Sequence, residues 1–121
     1  MKVMIVDDSK MMQMLVTEYL EEAGHEVITA GDGEKAIENL KEHSNIELIL
    51  LDYNMPTLGG VGFLKKNQEN NYTTAPIIMM TTESSMEKIS EVLALGVSEY
   101  VIKPFESEVL LEKISMVVGG L

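Results

Sequence analysis

The strongest constraint on the fold of this chain is a regular alternation between short apolar runs and segments with helical spacing. The apolar runs have the length of buried strands, and they lie at about 3–6, 26–29, 46–51, 76–80 and 99–102. Strands that alternate with helices pair in parallel, because each crossover helix returns the chain to the same edge of the sheet. The sequence therefore predicts an α/β fold with a parallel sheet of five strands and five helices.

The segments between the runs carry apolar residues three or four positions apart, which is typical of helices with one buried face. The predicted stripes are Met11, Met12, Leu15, Val16, Tyr19 and Leu20; Ala36, Ile37 and Leu40; Met86, Ile89 and Leu93; and Leu110, Leu111, Ile114, Val117 and Val118, with a weaker third helix at about 61–69. Gly24 and Gly96 are predicted to end helices. Ser84 or Ser85 is predicted to cap the fourth helix at its N-terminus, and Ser107 the fifth.

The composition narrows the class of protein. With 121 residues, 45% of them apolar, the chain has material for one domain, predicted to span residues 1–121. The absence of cysteine excludes disulfides and thiolate metal ligands. A net charge of −11 and the absence of arginine disfavour direct binding of nucleic acid. Because the sequence shows no cleavage signal and no apolar stretch of about 20 residues, we expect a cytoplasmic protein without membrane contact.

The sequence assigns no functional role to its methionines or to its histidines. The chain has ten methionines, and we expect most of them in the core, with Met11, Met12, Met79 and Met80 at core-facing or strand positions. His25 and His43 fall in polar turns, where solvated side chains are expected.

Acidic residues follow two of the apolar runs directly. Asp7 and Asp8 follow the first run, and Asp52 follows the third. The third run is almost continuously apolar, which indicates a central strand beside the first, covered on both faces. Neighbouring parallel strands would bring the three carboxylates to one sheet edge, where they repel one another unless a cation binds. This pattern predicts a divalent metal site and, with it, phosphate chemistry.

Two further strand ends add polar groups to the same edge. The fourth run leads into Thr81-Thr82-Glu83, and the fifth leads into Lys103-Pro104. Each residue alone has an ordinary structural explanation, such as a helix cap or a turn. Together they place three carboxylates, a hydroxyl and an ammonium on four strand ends, which favours a built site.

At this point the chain resembles a known family over its whole length. The segments VDDS, DYNMP, TTE and YVIKPF are similar, in order and spacing, to the receiver domains of two-component response regulators, above all the single-domain, CheY-like type. The resemblance implies a flavodoxin-like, doubly wound sheet with strand order 2-1-3-4-5. It implies a signalling phosphoacceptor that catalyses only its own phosphorylation and dephosphorylation.

The resemblance also assigns the acidic residues. It implies that Asp52 accepts the phosphoryl group, that Mg²⁺ or Mn²⁺ binds to Asp8, Asp52 and the backbone carbonyl of Asn54, and that Asp7 acts through a water. Lys103 would pair with a phosphoryl oxygen. Oxygen ligands and retained waters suit Mg²⁺.

Further positions match the parts of the family that respond to the phosphoryl group. Thr81 would move to bond the phosphoryl group, and Tyr100 would turn into the space that Thr81 leaves. Asn54 and Glu83 match positions that tune phosphoryl lifetime, and an amide with a carboxylate there resembles the chemotaxis type. The bond before Pro104 matches the family's cis peptide.

The implied partners are a sensor histidine kinase or phosphotransfer protein, and a downstream protein that binds the face of the fourth helix, fifth strand and fifth helix. The chain would be a monomer or a weak, phosphorylation-dependent dimer. The alternatives are a phosphorelay intermediate and a receiver cut from a longer regulator. In other classes, a flavodoxin would need a phosphate-cradling loop where Asp7-Asp8 stands, and a Mg²⁺ phosphohydrolase would commonly have Asp-x-Asp on the first strand.

Overall fold

A computed structural model describes residues 1–119, in which five strands alternate with five helices. The strands are β1 (Lys2–Val6), β2 (Glu26–Ala30), β3 (Leu48–Asp52), β4 (Ile77–Thr81) and β5 (Glu99–Ile102). The helices are α1 (Lys10–Glu22), α2 (Gly33–Glu42), α3 (Gly60–Asn70), α4 (Met86–Ala94) and α5 (Ser107–Val118). The ten predicted elements are confirmed with small shifts in their boundaries. Residues 120–121 of the predicted domain lie outside the described part of the chain.

The sheet is parallel throughout, in the order β2-β1-β3-β4-β5. The predicted flavodoxin-like topology and the central position of β3 beside β1 are therefore confirmed. Val6 lies opposite Leu51, and Asp52 lies opposite Met80 on the next strand. The strand order reverses between β1 and β3, and the carboxyl ends of these strands flank the crevice where open α/β sheets bind ligands.

Helices cover both faces of the sheet and form two separate cores. Alternate residues of a strand point to opposite faces. Leu50 thus packs with Val16 of α1 and residues of α5, while Leu51 packs with Phe63 of α3 and residues of α2 and α4. Burial on both faces explains the continuous apolar character of β3 and β4, all of whose residues are buried. Within residues 1–119, no helix has the length and apolar character needed to cross a membrane.

The helix ends follow most of the predicted signals. Gly24 and Gly96 come after α1 and α4 with φ angles of +90° and +101°, in the left-handed region that favours glycine. Ser85 caps α4, because its side chain accepts a hydrogen bond from the backbone N–H of Lys88. The prediction for Ser107 was wrong: the extended backbone ends at Glu106, so that Ser107 is the first residue of α5.

The apolar stripe predicted for α1 is wider than the face that the helix buries. Met11 and Leu15 are 79% and 37% exposed, so the core-facing prediction for Met11 was wrong. The buried residues of α1 are Gln13, Val16 and Leu20, spaced by three and four positions. Because the polar residue Gln13 belongs to the buried face, a prediction from hydropathy places the centre of that face incorrectly.

The same error affects α4. Met86 and Leu93 of the predicted stripe are 73% and 44% exposed, whereas Ile89 and Val92 are buried. The helix is rotated so that Val92, rather than Leu93, meets the sheet. The prediction holds for Met79 and Met80, which are fully buried in β4.

The two histidines are half-buried rather than solvated, which corrects the sequence-based expectation. His43 Nδ1 lies 3.3 Å from the ammonium nitrogen of Lys2. Burial, followed by the positive charge of the N-terminal amine, lowers the pKa of His25. Both histidines lie near the amino ends of the strands, away from the carboxyl edge where Asp52 stands.

Candidate functional site

Two neighbouring strands bring three carboxylates together at the carboxyl edge of the sheet. Asp7 and Asp8 follow β1, and Asp52 is the last residue of β3. One carboxylate oxygen from each of the three residues lies within 4.8 Å of the others. We call these three residues the acidic cluster. Asp7 and Asp52 are buried, whereas Asp8 is exposed at the rim, so the cluster is open to an ion from solvent.

Lys103 supplies the positive charge next to the acidic cluster. Its Nζ donates a hydrogen bond of 2.9 Å to Asp52 Oδ1 and another of 3.0 Å to Asp7 Oδ2. The residue follows β5, and its backbone N–H donates to the carbonyl of Thr81 at 2.8 Å. The bond between Lys103 and Pro104 is cis, as the family resemblance implies. Asp52 Oδ2 is not engaged by this lysine and stays available for other chemistry.

The charges of this site shift its proton affinities. Burial raises the pKa of Asp52, and the neighbouring carboxylates of Asp7 and Asp8 add to the effect, while the hydrogen bond from Lys103 opposes it. Burial alone would lower the pKa of Lys103, but its hydrogen bonds to Asp52 and Asp7 outweigh this effect and raise it. Three carboxylates thus share one ammonium within the described part of the site, and negative charge remains in excess.

The backbone around Asp7 is fixed by contacts from α1. The backbone N–H of Ser9 donates to Asp7 Oδ1 at 2.9 Å, and the Ser9 side chain caps α1. The Gln13 side-chain amide donates to the carbonyl of Asp7 at 2.6 Å and also contacts the carbonyl of Ala30 at 3.4 Å. Sequence reasoning missed Gln13. The available signal was a glutamine five residues after the acidic pair, flanked by apolar residues of α1.

The donor set of the acidic cluster fits a magnesium ion. It offers carboxylate oxygens without nitrogen or sulfur ligands, which matches the preference of a hard cation. Its excess negative charge would be neutralised by a divalent ion, and carboxylates held this close repel one another without one. Asn54 lies in the exposed part of the loop that follows Asp52, two residues from it.

Thr81 and Tyr100 line one crevice between β4, β5 and α4. Thr81 is buried at the end of β4, and its hydroxyl accepts a hydrogen bond of 2.9 Å from the backbone N–H of Glu83. Tyr100 is half-buried in β5, with the ammonium of Lys113 5.2 Å from its ring centre. The crevice that both residues line is closely packed and has no room for a water molecule.

Two residues beside the site contact α4. Glu83 is half-buried, and its Oε2 lies 3.7 Å from Nζ of Lys88. Tyr53, which follows Asp52, donates its hydroxyl to Glu91 Oε1 at 3.4 Å, and the Lys88 ammonium lies 5.7 Å from its ring. Sequence reasoning missed Tyr53, because its partners on α4 are more than 30 residues away along the chain. The loop that follows Asp52 is thereby connected to α4.

Comparison with known proteins gives a consistent result. The family model described as "Response regulator receiver domain" matches residues 3–115. The chemotaxis protein CheY1 of Helicobacter pylori strain J99 is 36% identical over 121 residues, which cover 98% of this chain and 98% of that protein.

Solved structures agree with the sequence comparison. Chemotaxis protein CheY4 of Vibrio cholerae superposes with a TM-score of 0.89 at 38% identity, over 97% of this chain and 98% of that one. A chain of the CheX–CheY–BeF3–Mg²⁺ complex from Borrelia burgdorferi superposes with a TM-score of 0.88 at 28% identity, over 96% of this chain and 87% of that one. These chains share the architecture of the chain described here.

Proposed function

Since this chain belongs to the response regulator receiver family, we propose that it is a single-domain signalling switch in which Asp52 accepts a phosphoryl group from a histidine kinase. The family membership sets aside the flavodoxin and phosphohydrolase hypotheses. The observation that carries the proposal is the convergence of Asp7, Asp8, Asp52 and Lys103 at the carboxyl edge of β1, β3 and β5. Receivers are signalling proteins, and this one would act as catalyst only on its own phosphorylation state.

The transfer reaction follows from the position of Asp52. Its Oδ2, which Lys103 does not engage, would attack the phosphorus atom of a phosphohistidine. The new bond joins this oxygen to phosphorus, the bond between phosphorus and the imidazole nitrogen breaks, and its electron pair stays on the imidazole. The Lys103 ammonium, 2.9 Å from Asp52 Oδ1, would offset the charge of the incoming phosphoryl oxygens. The product is an aspartyl phosphate.

The proposed metal ligands are oxygens of the acidic cluster and its neighbouring loop. Asp8 and Asp52 would bind Mg²⁺ or Mn²⁺ through their side chains, Asn54 through its backbone carbonyl and Asp7 through a water. Asp7 suits the indirect role because both of its oxygens already accept hydrogen bonds, from Ser9 and Lys103. When bound, the ion would neutralise charge on the phosphoryl oxygens and orient the in-line transfer.

Thr81 and Tyr100 would convert the added charge into a change of shape. The Thr81 hydroxyl now accepts from the Glu83 backbone N–H, and it would turn to donate to a phosphoryl oxygen. Tyr100 lines the same crevice, so its ring would move into the vacated space. This movement gives the charge change a two-state element to bias.

The output surface proposed for a protein partner is the face of α4, β5 and α5. Leu93, Ile102 and Val109, one from each of these elements, are between 36% and 45% exposed. Apolar residues exposed at one surface favour protein binding. The net charge of −11 and the lack of arginine favour a protein over nucleic acid. We place this signalling in the cytoplasm, in chemotaxis by similarity to the relatives, with a monomer or weak phosphorylation-dependent dimer.

Asn54 and Glu83 would set how long the phosphoryl group survives. Both stand two residues beyond a site residue, Asp52 or Thr81, and Asn54 is exposed while Glu83 is half-buried. Their amide and carboxylate would order the water that hydrolyses the aspartyl phosphate. The ion pair between Glu83 and Lys88 would restrict the movement of that carboxylate.

The direct test is phosphorylation by a small donor. We expect incubation with acetyl phosphate and Mg²⁺ to add one phosphoryl group, seen by intact mass, and a chelator to suppress it. Asp52→Asn should abolish the addition. Asp32→Asn is the matched control, because Asp32 is the one aspartate outside the acidic cluster and only caps α2. An unmodified mass under conditions that label another receiver would contradict the proposal.

A further inference from the structure

Leu58 lies in the loop between β3 and α3, with a glycine on each side of its side chain. A Cβ atom added to Gly62 of α3 would lie only 2.6 Å from Leu58 Cδ1. A Cβ atom added to Gly33, the first residue of α2, would lie 2.7 Å from the Leu58 carbonyl oxygen and 2.9 Å from Cγ and Cδ2. Neither position has room for a side chain while Leu58 stays in place. We call the space between these two glycines the glycine socket.

The backbone of Leu58 is also tied to α2. Its carbonyl accepts a hydrogen bond of 2.9 Å from the backbone N–H of Gly33. The first N–H groups of a helix have no partner within the helix, so this bond satisfies one of them. The loop is therefore anchored to α2 through both the side chain and the main chain of Leu58.

The residue before Leu58 has an unfavourable backbone conformation. Thr57 has a φ angle of +66°, in the left-handed region that β-branched residues rarely adopt. Such a conformation persists only where surrounding contacts determine it. The glycine socket supplies these contacts, because it fixes both the side chain and the carbonyl of the next residue.

The end of this loop packs against the main chain of Asp52. The Gly60 N–H donates to the carbonyl of Tyr53 at 3.1 Å, and a Cβ atom on Gly60 would lie 2.6 Å from the carbonyl oxygen of Asp52. A shift of Leu58 would pass through Gly60 to the main chain of Asp52 and Tyr53, which directly precede Asn54. The glycine socket therefore affects the positions of Asp52 and Asn54, the two proposed metal ligands in and next to this loop.

We propose that Leu58 is a positioning residue for the metal site. Seated in the glycine socket, it holds the loop of residues 53–59 in the conformation that presents Asn54 and Asp52 to a divalent cation. The affinity for the cation therefore depends on how α2 and α3 pack around Leu58. This inference rests on the proposed function, because it assigns Leu58 to the same site. A purely structural Leu58 would contribute to the core that it contacts and would leave cation affinity unchanged.

The test is the substitution Gly62→Ala, measured in the intact protein with Mg²⁺ alone. We expect the dissociation constant for Mg²⁺ to rise about tenfold, the usual effect of disturbing a group that orients a metal ligand. Alanine favours the helical conformation over glycine. The melting temperature should therefore fall less than it would for a defect in the core. Gly31→Ala is the matched control, because a Cβ atom there meets nothing within 4 Å, and it should leave affinity unchanged.

A second substitution tests whether the loss of Mg²⁺ affinity in Gly62→Ala is caused by displacement of Leu58. Valine lacks the Cδ1 atom that an alanine at position 62 would meet, so Gly62→Ala combined with Leu58→Val should recover most of the Mg²⁺ affinity. Affinity that falls in Gly62→Ala and stays low in the double variant would overturn the proposal. Wild-type affinity in Gly62→Ala would overturn it too. If Gly62→Ala fails to fold, Leu58→Ala empties the socket and should weaken Mg²⁺ binding about tenfold; unchanged binding there would overturn the proposal.

Amide hydrogen exchange in the metal-free protein separates this inference from the proposed function. We expect the Gly33 and Gly60 amides to exchange faster in Gly62→Ala, to slow again with Leu58→Val, and to stay unchanged in Gly31→Ala. If the wild-type protein binds no Mg²⁺, the proposed metal site and the assigned role of Leu58 both fail, whatever the exchange shows. If Mg²⁺ binds but exchange at both amides is unaffected by Gly62→Ala, only the inference about Leu58 fails.

Discussion

The two edges of the sheet differ in how they balance charge. At the amino edge, the ammonium of Lys2 lies 3.8 Å from a Glu26 carboxylate oxygen and 3.3 Å from His43 Nδ1, so that the positive charge has an oppositely charged partner. At the carboxyl edge, the acidic cluster shares the ammonium of Lys103. The first edge satisfies its own charges, whereas the second retains an excess of negative charge.

The excess at the carboxyl edge is also less exposed to water. The side chain of Glu26 is 76% exposed, whereas those of Asp7 and Asp52 are 1% and 9% exposed. Charges in water interact weakly, and charges removed from water interact strongly. A fold selected for stability alone would not concentrate carboxylates in its least solvated edge. The difference between the edges therefore supports the proposal that the carboxyl edge binds a cation.

The largest expected effect is that of Lys103→Met in metal-free protein. We expect the free energy of unfolding to fall by about 3 kcal/mol, because the change leaves buried carboxylates without their partner. Mg²⁺ should restore part of this loss, because it would take over the neutralising role. Urea unfolding with a chelator and with Mg²⁺ measures both effects. A loss below about 1 kcal/mol, typical of an exposed ion pair, would show that the two edges do not differ.

A smaller effect of opposite sign is expected for Asp52→Asn. Because the pKa of Asp52 is raised in the folded protein, the charged carboxylate disfavours folding. The neutral amide should raise the free energy of unfolding by about 1 kcal/mol, as is common when a functional residue is replaced. Asp32→Asn should leave it unchanged, since asparagine caps a helix as well as aspartate does.

The same substitution has a defined pH dependence. Above the ordinary aspartate pKa of 3.8 and below the raised folded value, the folded protein binds more protons at Asp52 than the unfolded chain does. The contribution of Asp52 to the free energy of unfolding thus decreases as pH rises through this window. We expect Asp52→Asn to gain stability relative to wild type over the same window, as measured by urea unfolding at several pH values. A gain independent of pH would contradict this origin.

The smallest effect is expected at the amino edge. Lys2→Met should lower the free energy of unfolding by no more than about 0.5 kcal/mol, because the Glu26 partner is well solvated. It should leave phosphorylation by acetyl phosphate unchanged. Urea unfolding and intact mass are again the measurements. A cost similar to that of Lys103→Met would remove the distinction between the edges.

The sequence was sufficient for the architecture and for the convergence of Asp7, Asp8, Asp52 and Lys103 at one edge of the sheet. Apolar runs bounded by polar residues identified the strands, and strand adjacency then placed Asp7, Asp8 and Asp52 at one edge. The helix caps at Ser85, Gly24 and Gly96 depend on local backbone geometry, which neighbouring residues encode. The same reasoning placed Lys103 at the correct edge, because it follows a strand directly.

Other features depend on contacts that local patterns do not encode. Hydropathy assigned Met11 to the core of α1, whereas the buried place belongs to Gln13, whose amide is satisfied by main-chain carbonyls. The position of Leu58 between two glycines joins residues from three segments. Neither arrangement has a periodicity or a motif in the sequence, so each is visible only in the folded structure.

The central claim is that the carboxyl edge holds one divalent cation where the amino edge holds none. Titration of metal-free protein with Mg²⁺, followed by calorimetry, tests it most directly. We predict one ion per chain, binding that is lost in Asp8→Asn and kept in Asp32→Asn, and stabilisation of about 2.7 kcal/mol at a hundredfold excess over the dissociation constant. An absence of Mg²⁺ binding by the wild-type protein, or binding that survives in Asp8→Asn, would contradict the account.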